Sequence, residues 1–247
     1  MRRAVLLALA AWACGAGMSR AAGDAAIRTV PDADGAAPVH ACPRDPRVTV
    51  RSPAGPDAVL ACEGATRALD FLARAGLDGA QGTSIEIVPE LHGDLAGRAV
   101  GCYMRDTHRI FLVGLETFRA GGGWFGMPPS VELYRAAASH EIAHAVVGCR
   151  SAPNRLPVAA HEYVAYVVFF ATMDPRLRAD ILARFPGAGF RTAGQISDVA
   201  HLANPNRFGV DAWRHYLRVG DRGRWLREVV AGEGVPEPGR DPDAASR

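Results

Sequence analysis

The residues whose types and spacing could do chemistry are His140-Glu141-Ile142-Ala143-His144. On a helix, two histidines four residues apart project from one face, so both imidazoles can reach a single metal ion. The glutamate between them lies about a third of a turn away, where its carboxylate can take a proton from a water that the metal has acidified. The competing reading is an ordinary solvated helix. Ile142, Ala143, Ala145, Val146 and Val147 argue against it, because they make the segment apolar nearly all round, and such a helix is buried. Buried histidine and glutamate need partners, so the spacing points to a metal site.

A catalytic zinc has three protein ligands and one open position. A third histidine six residues after His144, the metzincin arrangement, is excluded because Arg150 stands there. The acidic candidate is Glu162, on the next helix, which a short turn can bring back beside His140 and His144. Its neighbour His161 points about 100° away on that helix, so only one of the two can ligate. Zn2+ is the expected cofactor, with Glu141 as general base.

Several elements must position these groups. Residues 47–52 (R-V-T-V-R-S) alternate like a strand. A helix follows over 57–75, and 84–89 is a second strand. Residues 99–104 and 109–113 form an antiparallel hairpin with a polar turn between them. The segment 120–126 (A-G-G-G-W-F-G) reads as a linker, or as a rim loop over the site. Pro128-Pro129-Ser130 opens the helix that carries the histidines, with Ser130 as N-cap. That helix ends near Gly148. The helix with Glu162 opens at Asn154 or Pro157 and runs to about Met173. Further helices are expected at 175–184, 196–202, 211–219 and 222–231. The fold class is therefore α+β, a small mixed or antiparallel sheet followed by a mainly helical half. One domain is expected over 47–232, after an extended lead-in over 23–46 and before a disordered tail over 233–247.

The 247 residues suffice for one sizeable core. The net charge of +2, without a basic cluster interleaved with aromatics, argues against a nucleic-acid partner. Arg2-Arg3 and the apolar run after them form a signal peptide over 1–22, cleaved after Ala21 or Ala22 and too short for a stable membrane anchor. A lipoprotein role for Cys14 is disfavoured by Trp12 just upstream. The expected product is exported, periplasmic or secreted, and monomeric. Cys42, Cys62, Cys102 and Cys149 then remain, an even number suited to an oxidising compartment. The pairing Cys42–Cys62 with Cys102–Cys149 is preferred, because each bond would tie a strand region to a neighbouring helix. No C-x-x-C spacing supports a cysteine metal cluster instead.

The chain resembles the gluzincins, and more narrowly the peptidase MA-like domains. The matching residues are His140-Glu141-Ile142-Ala143-His144, Leu156-Pro157 and Glu162-Tyr163-Val164-Ala165. The likeness extends to the hairpin upstream and weakly to the helix around Trp213. It departs at Tyr163, where a glycine is usual, and at Ala159, where a tryptophan is common. The resemblance implies a zincin-like fold and a zinc-dependent peptidase with a peptide or protein substrate. It also implies a downstream Tyr or His that stabilises the transition state, for which Tyr166, His201, His215 and Tyr216 are candidates. The reading from a different class is a non-catalytic exported metal-binding or interaction module that keeps the site.

Overall fold

The computed structural model describes residues 37–43, 45–79, 82–151 and 156–235. The expected signal peptide, most of the lead-in, Asn154 and the tail beyond 235 lie outside the described residues. The fold is α+β, a mixed five-stranded sheet with a mostly helical remainder.

Strands β1 (Val39–Cys42), β2 (Asp45–Arg51), β3 (Ser84–Val88), β4 (Gly101–Met104) and β5 (Arg109–Val113) are ordered β1-β2-β3-β5-β4. The β1/β2 and β4/β5 pairs are antiparallel, and β2/β3 and β3/β5 are parallel. Helix α1 (Gly55–Arg74) is the crossover between the parallel strands β2 and β3. β1 lies within the expected extended lead-in, where no strand was expected, and it is held in place covalently. A disulfide joins Cys42 to Cys62 on α1, with Cα atoms 5.2 Å apart. It closes a separation of 20 residues, which the chain-entropy model values at about 3 kcal/mol.

The second expected disulfide does not form, since Cys102 and Cys149 both carry thiols. Strand alternation explains this. Gly101 and Tyr103 face the helix that carries Cys149, as shown by their contacts with Glu141 and Gly148, so Cys102 between them faces the other side of β4. Cys149 Sγ lies instead 3.4 Å from His108 Nδ1, and that same nitrogen is 3.0 Å from Tyr103 Oη.

Helices α2 (Leu115–Ala120), α3 (Val131–Arg150), α4 (Val158–Thr172), α5 (Pro175–Arg184), α6 (Asp198–Ala203), α7 (Pro205–Arg218) and α8 (Arg222–Ala231) complete the chain. Ser130 caps α3 by accepting from the Leu133 amide at 3.2 Å. α3 packs on α1 and α4, and Ser139 Oγ donates to the Gly64 carbonyl of α1 at 2.9 Å. Gly64 permits that approach, because a Cβ there would meet the Arg135 carbonyl oxygen at 2.4 Å. Tyr134 at the start of α3 donates to the Val113 carbonyl at 2.9 Å, and Gly148 near its end rests against the Tyr103 ring. α3 is thereby pinned across β5 and β4 at both ends. Its residues Ala136–Val147 are all buried, as are Ala159–Phe170 of α4, so these two helices form the centre of the core. The fold also runs past the expected start of the tail at 233. The amides of Glu233 and Gly234 donate to the Glu228 carbonyl, and Val235 is buried.

Candidate metal centre

The site lies where α3 meets α4. His140 and His144, one turn apart on α3, turn their Nε2 atoms toward each other at 3.1 Å. Glu162 of α4 faces them, with Oε2 3.6 Å from His140 Nε2 and Oε1 3.6 Å from His144 Nε2. One ligand atom from each residue falls within 4.8 Å of the others, so the group can hold a metal ion. All three residues are buried.

The electrostatics suit a cation. Burial lowers His140 to about 3, helped by the nearby His201, and burial followed by the charge of His140 holds His144 well below the usual imidazole value. Both rings are therefore neutral and can offer lone pairs. Burial, and then the Glu141 carboxylate, raise Glu162 well above the usual carboxyl range. A divalent cation reverses that balance in favour of the carboxylate. Both Glu162 oxygens lack a hydrogen-bond partner, and such orphaned buried atoms are what a ligand set looks like before its ion is counted.

Glu141 is 3% exposed and packs against β4. A Cβ on Gly101 would sit 2.7 Å from its Cγ and 2.8 Å from its Oε1, so only glycine leaves room for the carboxylate there. Its charge adds to burial in raising Glu162, and to burial and the Glu162 charge in raising Tyr166.

His161 does not compete for the ion. Arg105 Nη2 donates to its Nε2 at 3.0 Å and also to Ser151 Oγ at 3.0 Å. Burial and then the Arg105 charge lower its pKa to about 4. In the sequence residues 105–108 carry only a polar-turn pattern, and nothing local marks Arg105 as this anchor.

Of the four downstream candidates, the fold brings two to the site. The Tyr166 ring lies 4.8 Å from that of His140, and its hydroxyl lacks a hydrogen-bond partner. His201 of α6 places Nε2 3.5 Å from Glu162 Oε2. The other two are placed elsewhere. His215 Nδ1 is 2.8 Å from the Tyr163 hydroxyl, which also accepts from Trp225 Nε1 at 3.0 Å, and Tyr216 packs on Phe71 and Trp213. The position of His215 follows from Tyr163, which leaves α4 on a different face from Glu162.

Residues 120–126 are more than a linker. Trp124 and Phe125 are buried, Trp124 meets the His140 ring edge-on at 6.2 Å, and its Nε1 donates to Asn206 Oδ1 at 3.1 Å. A glycine-rich composition hid this packing role. A cavity of about 650 Å³ between β1 and α1 is lined by His40, Val59 and Arg67 among others and contains none of the site residues. Among the described residues no helix is long and apolar enough to cross a membrane.

No curated protein and no solved structure matches the chain. The model of a family of unknown function (DUF6639) matches residues 48–238, most of the chain, and the protein belongs to that family.

Proposed function

We propose that this protein is an exported zinc-dependent peptidase of the gluzincin kind, with a zincin-like fold. The observation that carries the reading is the convergence of His140, His144 and Glu162 beside a second carboxylate, Glu141, that is not one of the three. In this reading His140, His144 and Glu162 hold Zn2+. The ion supplies Lewis acidity, which makes a water acidic enough to deprotonate near neutral pH and polarises a carbonyl. Glu141 accepts the proton and later delivers it to the leaving amine, and its seat on Gly101 fixes the oxygen that does so. Tyr166, with a free hydroxyl beside His140, is suited to donate to the oxyanion that develops on the substrate.

The Cys42–Cys62 disulfide agrees with export to an oxidising compartment. Zinc by elemental analysis, with His140→Ala as control, and chelator-sensitive cleavage of casein test the reading. Stoichiometric zinc in wild type that is lost in the variant, together with cleavage, supports it. A protein that retains zinc and cleaves nothing across a broad peptide library is instead the non-catalytic metal-binding module. That second reading is favoured by one observation, the burial of every residue of the centre.

A further inference from the structure

His201 is fully buried, and neither of its ring nitrogens has a hydrogen-bond partner. Its ring is packed between Tyr166 at 6.3 Å and Phe208 at 5.3 Å. The nearest polar neighbour given by the geometry is Glu162, whose Oε2 lies 3.5 Å from His201 Nε2. Buried imidazoles are hydrogen-bonded or ligate metals, and this one has no bond.

Within the group of His140, His144 and Glu162 the separations agree with a shared ion. Nitrogen and oxygen ligands at about 2.0–2.1 Å around a tetrahedral zinc stand roughly 3.4 Å from one another. His140 to His144 is 3.1 Å, each of them to Glu162 is 3.6 Å, and His201 to Glu162 is 3.5 Å. His201 lies outside the group whose atoms all fall within 4.8 Å of one another and approaches it at Glu162, so ligation requires its side chain to turn. α6 is only six residues long, with Ser197 capping one end and Asn204 following the other. Its firm tie to the centre is Asp198, whose Oδ1 accepts from the Ala159 amide at the start of α4 at 2.7 Å. Val199 and Leu202 on the same helix are 77% and 61% exposed, so α6 is an outer layer over the centre.

We propose that His201 is a fourth, displaceable protein ligand, so that three imidazoles and one carboxylate close the resting centre, and that outward movement of α6 opens the coordination position. This rests on the metal-site reading above. It accounts for the burial of the centre, since a catalytic site must have an open position and a structural site need not.

X-ray absorption of the zinc-loaded wild-type protein counts imidazoles directly. Three are expected. Two would overturn the proposal while leaving the three-residue site intact, and no bound zinc would overturn the site reading itself. In the cobalt-substituted protein, His201→Ala should change the visible absorption of the ion. Cobalt affinity should fall by at least the ~10–100-fold that removing an outer partner costs, and acetohydroxamate should bind more tightly than to wild type because a position is open. An unchanged cobalt spectrum and unchanged hydroxamate affinity would show that His201 acts from outside the coordination sphere. If His201→Ala does not fold, the imidazole count on wild type decides alone.

Discussion

Replacing Gly101 by alanine tests the seat of Glu141 without removing any charged group. The added methyl would lie 2.7 Å from Glu141 Cγ, 2.8 Å from Oε1 and 2.9 Å from Cδ, against an ordinary contact of about 3.5–4.0 Å. The carboxylate must therefore retreat by roughly 1 Å. Overpacking of this size costs about 1–3 kcal/mol, and the lower part of that range is expected because the far end of a side chain gives way rather than backbone. A 1 Å misplacement of a catalytic group costs on the order of 10²-fold in rate. Zinc content should not change, since the atoms nearest the new methyl all belong to Glu141. Gly148→Ala is the control. Its methyl would meet the Tyr103 ring at 2.7 Å, so it should destabilise comparably without displacing Glu141. Urea denaturation, zinc analysis and casein hydrolysis on both variants complete the experiment. Hydrolysis at the wild-type rate by Gly101→Ala would refute the role of the seat. Equal rate losses in both variants would assign the effect to stability instead.

The two carboxylates should separate on substitution. Glu162→Gln leaves a neutral, weaker ligand and should lower zinc affinity, whereas Glu141→Gln should keep zinc near wild type and lose hydrolysis by about 10²–10⁴-fold, because an amide cannot accept the proton; the opposite pattern in zinc analysis reverses the assignment. Zinc removal by chelator should lower thermal stability, by about 2.7 kcal/mol relative to free zinc at 100 times its Kd, and an unchanged melting temperature would argue against a bound ion. Cys42→Ser should cost about 3 kcal/mol in urea denaturation, with no further loss when reductant is added. Thiol titration of the denatured, unreduced protein should find Cys102 and Cys149 reactive and Cys42 and Cys62 not; silence from the first pair would restore the second disulfide.

What was legible in the sequence is what short-range periodicity encodes. The i, i+4 spacing of His140 and His144 puts both on one helix face whatever surrounds them. Ser130 before an apolar run marks the start of α3, and α5 and α8 have the bounds expected, 175–184 and 222–231. β1 with four residues and α2 with six escaped, although β4 and α6 of the same lengths did not. α7 begins at Pro205 rather than near 211 and runs through Gly209. In the fold that glycine gives room to the Tyr166 ring, 2.6 Å from where its Cβ would be.

Long-range packing decided the rest. Which downstream side chain reaches Glu162 depends on how α6 and α7 dock on α4, and no local pattern separates His201 from His215. The cysteines obey the same logic. Cys42 meets Cys62 because β1 lies against α1, and Cys102 misses Cys149 because strand alternation turns it away from α3. Residue spacing determines the direction of a side chain within its own element, through the fixed geometry of helix and strand. Its partner on another element is set by packing among distant segments, and that is decided only when the whole core closes.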